Sequence, residues 1–179
     1  MQSLYQQVLG ADFHLLPAPL QEFHALQGNH VLNGWVEVSA PATFTARCLA
    51  RCLGAPLTRE RGPIRFELKA SSASEQWVRH FPGKIMQSRL GTASGRIVEY
   101  LGAARLTFLL RGSTERLEMQ LVRLHFLGVP CPHWLIPGVV AEESATAGRL
   151  HFRVEASVRF IGMVAGYEGY LELPPGEFA

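Results

Sequence analysis

Residues 149–160 read RLHFRVEASVRF, and this stretch decides the fold class. Apolar residues alternate with polar or charged ones along its whole length, which is typical of a β-strand with one buried face. The apolar positions are Leu150, Phe152, Val154, Ala156, Val158 and Phe160. The pattern predicts a sheet protein, because shorter stretches with the same period of two recur through most of the chain.

The same period of two on both sides of this stretch predicts about nine strands in all. They fall in residues 31–39, 64–69, 76–81, 84–90, 97–101, 106–110, 115–126, 149–160 and 163–173. Short connections rich in glycine, proline and serine favour antiparallel pairing. A sheet of this width with one apolar face must curl, so we predict a single antiparallel β-barrel or a half-open clam.

Three details of the strand pattern add to this prediction. The apolar phase slips between Leu121 and Val122, which predicts a β-bulge near Leu121. Residues 138–147 show no clear alternation and are interpreted as a loop or short helix. The prolines and glycine of residues 174–176 are expected to end the last strand.

Helical patterns are confined to the first third of the chain. Residues 4–9 and 19–27 predict short helices that cover one opening of the barrel. Thr43 is a plausible N-cap for a third helix. We expect that helix to pack on the core through Phe44, Cys48, Leu49, Cys52 and Leu53. We predict one domain, residues 1–179, because no linker or repeat divides the chain.

Composition excludes several classes of function. The net charge is only +2 and the 15 arginines are scattered, so we expect no nucleic-acid partner. Asp12 is the only aspartate and no metal-ligand or nucleotide motif occurs, so we expect neither metal nor cofactor. With three cysteines, no signal-peptide pattern and no membrane-length apolar run, we expect a cytoplasmic protein with reduced thiols and no membrane span.

The most informative polar residue is Arg79, which lies between Trp77 and Phe81 at a spacing of two. All three side chains point to one face of a strand, so a guanidinium is predicted on an aromatic, inward face. A buried charge needs a partner, and Glu99 lies on an inward face of a nearby predicted strand. We interpret Arg79 and Glu99 as an ion pair, assisted by Gln87 or Ser88. This pair either closes a packed core or stands at the wall of a pocket.

Two alternatives accompany the main functional prediction. The prediction is a non-catalytic module that binds a small amphipathic or lipid-like molecule in the barrel. The predicted ligand-binding residues are Trp77, Arg79, Phe81, Ser88, Glu99, Phe108, Met163 and Tyr167. The first alternative is an enzyme, with Glu99 as general base and Arg79 as anion stabiliser. The second is a structural accessory domain with a fully packed core.

Glycines at 162, 166 and 169 indicate sharp curvature of the last strand.

The chain also resembles a bacterial family known as domain of unknown function 4166. The resemblance rests on an opening like Leu4-Tyr5…Val8-Leu9-Gly10, the Trp77-x-Arg79-x-Phe81 strand, Ser88, Glu99 followed by Gly102, Pro130-x-Pro132, Glu142 and Tyr167-x-Gly169. Members of that family are free-standing or attached to dehydrogenase-like modules. The resemblance therefore implies a possible association with such a module, and it implies no activity, cofactor or oligomeric state.

Overall fold

A computed structural model describes residues 2–146 and 148–173, and these form a mainly β protein. Within those ranges the strands are β1 (Gly28–Ser39), β2 (Glu60–Ala70), β3 (Glu75–Phe81), β4 (Lys84–Ala93), β5 (Arg96–Leu101), β6 (Ala104–Gly112), β7 (Arg116–Phe126), β8 (Val129–Pro130), β9 (Gly138–Thr146), β10 (Arg149–Val158) and β11 (Gly162–Glu172). The helices are α1 (Leu4–Leu9), α2 (Ala18–Ala25) and α3 (Phe44–Leu53), with 3-10 helices at Gly10–Leu15 and His133–Leu135. Residues 174–176, expected to end the last strand, lie outside the described ranges.

Ten of the strands close into an antiparallel β-barrel, and the short strand β8 pairs with β7 outside it. The order around the barrel is β6-β5-β4-β3-β2-β1-β11-β10-β9-β7, and pairing of β7 with β6 completes the ring. The predicted barrel is thus confirmed, and it is closed rather than half-open. Closure gives each of the ten strands two neighbours, although β7 and β9 pair only from Arg116 to Glu118.

Strand β9 corrects the interpretation of residues 138–147 as a loop or short helix. It pairs with both β7 and β10 and completes the ring. Its inward positions alternate as Val139, Ala141, Glu143 and Ala145. Two of these inward residues are alanines and one is a glutamate. The sequence of β9 therefore lacks the alternation of large apolar and polar residues that marks the other strands, although its pairing is regular.

Two bulges adjust the register. Thr107 pairs with Arg123 and Phe108 with Leu121, which leaves Val122 as the extra residue and confirms the predicted bulge. A second bulge, which the sequence did not indicate, leaves Val164 unpaired between Ala165 and Met163. Because a shift of one residue reverses the direction of a side chain in a strand, this second bulge moves Met163 off the inward face.

The first helices close one end of the barrel, as predicted; we call it the capped end. Ser3 and Gln6 form a reciprocal capping box that begins α1. The Gln7 side-chain amide donates to the Ser72 carbonyl oxygen in the β2–β3 turn at 2.8 Å. Leu4 and Leu20 are fully buried against the interior. Helices α1 and α2 therefore form a lid that is packed, not merely adjacent.

The other end of the barrel, which we call the mouth end, carries α3. Its N-cap Thr43 accepts from the Ala46 amide at 3.2 Å and donates to the Ile161 carbonyl oxygen at 2.9 Å. The expected core face of this helix was wrong for Phe44, Cys48 and Cys52, which are exposed. The buried stripe instead follows helical spacing through Ala46, Leu49, Ala50 and Leu53.

The glycines of β1 and β11 permit a close approach of the two strands. A Cβ added at Gly169 would overlap the carbonyl oxygen of Trp35 and lie 2.9 Å from the Cα of Val36. Gly34 has the same relation to the backbone of Tyr170. Glycine is therefore required at these two positions because the backbones of β1 and β11 leave no room for a Cβ, and the curvature predicted for the last strand stays a prediction.

We expect Gly169→Ala to lower the free energy of unfolding by about 3 kcal/mol, because the new methyl group collides with backbone that cannot move aside locally. Urea unfolding of the wild type and the variant measures this change. The matched control is Gly138→Ala, where the added Cβ meets only the Ser157 carbonyl oxygen at 3.9 Å. Equal effects of the two substitutions would contradict the close-approach explanation.

Candidate functional site

Strand β3 directs Trp77, Arg79 and Phe81 into the barrel, as its spacing predicted. Their exposed fractions are 7%, 7% and 5%. The intervening residues Val78 and His80 are only partly buried on the other face. An arginine is therefore held among aromatic side chains in the interior, where its charge requires compensation.

Three kinds of contact compensate the Arg79 guanidinium. Nη1 donates to Ser88 Oγ at 3.1 Å, and Nη2 lies 3.7 Å from Glu99 Oε1. The guanidinium carbon also lies 4.9 Å from the ring centroid of Trp77, within cation–π range. The predicted ion pair with Glu99 is present, and of the two proposed helpers Ser88 makes the contact. Strand β4 lies between β3 and β5, so Arg79 reaches across one strand to Glu99.

A second polar group lies beside this pair at the capped end, and the sequence did not reveal it. His24 Nε2, on α2, lies 2.6 Å from Glu143 Oε2 on β9. The Tyr5 ring of α1 stacks on the His24 imidazole at a centroid distance of 3.8 Å. Trp77 Nε1 donates to Glu75 Oε2 at 2.9 Å. The Tyr5 hydroxyl is buried and has no hydrogen-bond partner among the described residues.

One sequence signal could have identified His24. It lies four residues after Leu20 and so shares the apolar face of α2, where it is 2% exposed. Glu143 was hidden because its strand was interpreted as a loop. The two residues are separated by 119 positions, a contact that no local pattern indicates.

Burial shifts the titration of several of these groups. Removal from water raises the pKa of Glu75, although His24 and the hydrogen bond from Trp77 partly oppose this shift. Burial also raises the pKa of Tyr5 well above its ordinary value, and nearby carboxylates, Glu143 foremost, raise it further. The pKa of Tyr167 is raised mainly by burial, against the opposing charge of Arg79. Burial thus favours the neutral forms of Glu75, Tyr5 and Tyr167.

An internal cavity of about 310 Å³ lies between these polar groups and the mouth end. Arg79, Glu99, Glu143 and Tyr167 contribute to its lining at the inner side. Its walls are otherwise mostly apolar and include Leu53, Met86, Leu106, Phe108, Met119, Leu121, Val139, Val154, Ala156, Val158 and Ile161. A smaller space of about 50 Å³ continues towards the capped end and shares Trp77, Arg79 and Tyr167 with it.

Five of the eight predicted ligand-binding residues line the larger cavity: Trp77, Arg79, Glu99, Phe108 and Tyr167. The other three have different positions. Ser88 lies behind Arg79 as its hydrogen-bond partner, and Phe81 packs edge-on against Tyr167 at 5.2 Å. Met163 is turned away from the cavity by the bulge at Val164, which lines the cavity in its place.

Two wider grooves, of about 630 and 590 Å³, lie outside the cavity and are more open to solvent. One borders Lys69 and Tyr100, and the other borders Trp35 and Tyr170. We take the internal cavity as the candidate site, because there buried polar groups converge at one side of an apolar space.

Neither a metal centre nor a membrane-spanning helix occurs in the described part of the chain. Within residues 2–146 and 148–173, no cluster of three or more histidine, cysteine, aspartate or glutamate side chains could hold a metal ion. The three cysteines form no disulfide in the structure. No helix within the same residues is long and apolar enough to cross a membrane.

The fold and the cavity together define a closed antiparallel β-barrel with a lid of helices and a polar group at its inner end. Residues 16–171 match the model of the family described as Domain of unknown function (DUF4166), and the chain belongs to that family. The matched segment contains His24, Arg79, Glu99 and Glu143, whereas Tyr5 precedes it. A comparison with curated proteins gave no match.

We expect Arg79→Met to lower the free energy of unfolding by about 3 kcal/mol, because it leaves the Glu99 carboxylate buried without its partner. The double variant Arg79→Met/Glu99→Gln should recover at least half of that loss, since it removes the unpaired charge. Thermal and urea unfolding measure both. The control is Arg149→Met, which breaks an exposed pair with Glu172 at 3.8 Å and should change stability by less than about 1 kcal/mol. A double variant no more stable than Arg79→Met would contradict this account.

We expect the wild type to lose stability relative to Glu75→Gln as pH rises above about 4.5, the ordinary glutamate value. The raised pKa means that the folded state holds a proton that the unfolded state has already released. The contribution of Glu75 is therefore complete below pH 4.5, falls as pH rises through the folded-state pKa, and is then constant. Urea unfolding between pH 4 and 8 measures the difference, with exposed Glu115→Gln as control. Parallel pH profiles for wild type and Glu75→Gln would refute the prediction.

Proposed function

We propose that this protein is a non-catalytic binding module that holds a small amphipathic or lipid-like molecule inside its barrel. The observation that carries the proposal is the cavity of about 310 Å³, whose apolar walls lead to buried polar side chains at one end. Ligand sites of about 300 to 1,000 Å³ commonly combine apolar walls with a few placed polar groups. The apolar part of the ligand would lie towards the mouth end and its polar head against Arg79 and Tyr167.

The charges at the inner end indicate what kind of head fits. The Arg79 guanidinium already faces the Glu99 carboxylate, so it offers little excess positive charge to an anion. Glu143 adds a second carboxylate, which His24 contacts from the side of the lid. The Tyr167 ring packs against Phe81 and Phe152, and burial raises the pKa of its hydroxyl, so this group stays a neutral donor at the inner end of the cavity. An uncharged head with a hydroxyl group satisfies these groups better than a carboxylate does.

The two alternatives receive less support from the same geometry. An enzyme with Glu99 as base and Arg79 as anion stabiliser needs both groups to act on a substrate, yet they face each other at 3.7 Å and partly satisfy each other's charge. A structural accessory domain needs an interior filled by side chains, and the size of the cavity favours binding over that reading. Association with a dehydrogenase-like module and a cytoplasmic location stay predictions.

We expect 1-decanol to bind more tightly than decanoate, and Ala156→Phe to weaken decanol binding at least tenfold. Ala156 lines the cavity, so a phenyl ring at this position occupies the space of the alkyl chain. Isothermal titration at equal protein concentration measures both effects. The matched control is Ser157→Phe, because Ser157 is the next residue on the same strand and does not line the cavity.

Three results decide this test. Decanol binding that is lost in Ala156→Phe and kept in Ser157→Phe supports a ligand site in the barrel. Equal losses in both variants, or no binding of either compound, overturn it for molecules of this class. Native mass spectrometry of protein from its own host then looks for a co-purifying small molecule of the same chemistry.

A further inference from the structure

The apolar side chains most exposed to solvent all lie at the mouth end. Phe160 is 92% exposed, Phe44 81%, Leu127 73%, Trp134 70% and Val129 65%. No other large apolar side chain of residues 2–146 and 148–173 exceeds 53%. We call these five residues the mouth rim. Contiguous exposed apolar surface of this kind marks an interaction site more often than a defect of folding.

The mouth rim comes from three separate segments that hydrogen bonds hold together. Phe44 begins α3, Phe160 lies in the β10–β11 turn, and the remaining three lie between β7 and β9. Thr43 Oγ1 donates to the Ile161 carbonyl oxygen at 2.9 Å, which joins the first two segments. The third is joined through Ala103, whose carbonyl accepts from the Leu127 amide at 2.9 Å and whose amide donates to the Cys52 carbonyl at 3.0 Å. The rim is therefore a fixed ring of loops.

The ring surrounds the opening of the cavity. Leu49 and Leu53 of α3, Leu135 beside Trp134, and Ile161 beside Phe160 all line the cavity. Apolar surface thus continues from the interior to the exposed tips of the loops. Leu127 and Phe160 lie at two of these loop tips. Their backbone φ angles are 51° and 66°, in the left-handed region that bulky residues rarely adopt. Folding alone does not require an apolar side chain at such positions.

Positive charge accompanies the rim. Arg47 and Arg51 are exposed on α3, Arg105 follows the β5–β6 turn, and Arg159 precedes Phe160. None of these four has a carboxylate within 4.0 Å among the described residues; Arg159 instead lies 4.9 Å from the ring centroid of Phe160. Glu37 and Glu60 also lie at this end, on β1 and β2, and Glu37 pairs with Arg59 at 3.3 Å. Arg105 Nη2 lies 3.0 Å from His125 Nε2, so its contact is with a ring nitrogen and not with an acid. Exposed aromatic tips beside arginines that lack acidic partners match the chemistry of an anionic lipid surface.

We propose that the mouth rim docks on the surface of an anionic lipid bilayer. The five apolar side chains enter the boundary between headgroups and acyl chains, and the four arginines contact lipid phosphates. Docking in this orientation places the cavity mouth against the bilayer, so an amphipathic ligand passes between the two without crossing water. The docking itself requires no ligand, whereas the transfer rests on the proposed function.

Vesicle co-sedimentation tests the docking with the full chain. The probe is vesicles of phosphatidylcholine with 30% phosphatidylglycerol, compared with vesicles of phosphatidylcholine alone. We expect binding to the anionic vesicles that weakens with salt, and a blue shift of tryptophan fluorescence as Trp134 leaves water. Phe44→Ser/Trp134→Ser/Phe160→Ser should reduce the partition coefficient at least tenfold, because each ring contributes apolar area. Arg47→Gln/Arg159→Gln should reduce it about 25-fold, at about fivefold per charge.

Matched controls separate the rim from apolar or basic surface in general. Val31→Ser/Ile85→Ser/Tyr100→Ser removes three apolar side chains that are about half exposed on the barrel wall. Arg89→Gln/Arg111→Gln removes two exposed charges at or near the capped end. Both control variants should keep vesicle binding within twofold of the wild type. Circular dichroism and melting temperature check that every variant is folded.

Several results would overturn the proposal. They are failure of the wild type to bind anionic vesicles, equal binding to neutral vesicles, or equal losses in the rim and wall variants. A dimer in sedimentation equilibrium that the rim triple variant dissociates, without vesicle binding, would show instead that the rim joins two copies of the chain. Two measurements distinguish the docking proposal from the proposed binding function. If only the docking proposal is wrong, the protein binds decanol but not anionic vesicles. If only the binding function is wrong, the protein binds anionic vesicles but not decanol.

Discussion

The compensation of one buried charge constrains the interior of this barrel. Arg79 cannot lose its proton, so its guanidinium must be matched wherever the fold places it. Three groups compensate the charge of the guanidinium: the Ser88 hydroxyl on β4, the Glu99 carboxylate on β5 and the ring of Trp77 on β3 itself. These contacts depend on the register of three adjacent strands. A slip of one residue in any of them would point Arg79 or its partners outward, and the charge thereby favours one alignment of the sheet.

Several paired polar groups lie together at the inner end of the cavity, beside apolar residues such as Phe23 and Leu150. Ion pairs in an interior are stabilising only when the remaining polar atoms are satisfied. Here Arg79 contacts Glu99 and donates to Ser88. His24 contacts Glu143, and Trp77 donates a hydrogen bond to Glu75. The helical lid supplies His24 and Tyr5, so the cap contributes side chains to the interior as well as covering it. A barrel without this lid would leave Glu143 facing open water, and the apolar cavity would lose its closed end.

The sequence predicted the parts of this arrangement that depend on period and local chemistry. Alternation predicted about nine strands, a barrel or half-open clam, and the inward face of β3. The need of Arg79 for a partner led to Glu99, because both lie on inward positions of neighbouring strands. Prediction failed where periodicity carries no information. Strand β9 has small and charged inward residues, and the bulge at Val164 reversed Met163 without any visible change of pattern.

Contacts between distant elements were also beyond local patterns. His24 and Glu143 meet only because α2 crosses the capped end next to β9 and β10, and the position of a lid helix depends on tertiary packing. The exposed side of α3 was misjudged for a related reason. Phe44, Cys48 and Cys52 form one possible helical stripe, and Ala46, Leu49, Ala50 and Leu53 form another. Only packing against the barrel selects between them, and α3 is fixed at its end by the β5–β6 turn, where the Ala103 amide donates to the Cys52 carbonyl oxygen at 3.0 Å.

The result of these choices is a molecule whose two ends differ in chemistry. At the capped end the lid covers buried polar groups, of which His24 and Glu143 are paired and the Tyr5 hydroxyl has no partner among the described residues. At the mouth end apolar side chains are exposed beside arginines that lack acidic partners. The cavity has polar side chains at its inner end and apolar walls towards the mouth, so under the proposed function an amphipathic molecule would enter it in one orientation. Under the proposed binding function, the contacts that stabilise the barrel around Arg79 would also orient a ligand with its head inward and its apolar part towards the opening.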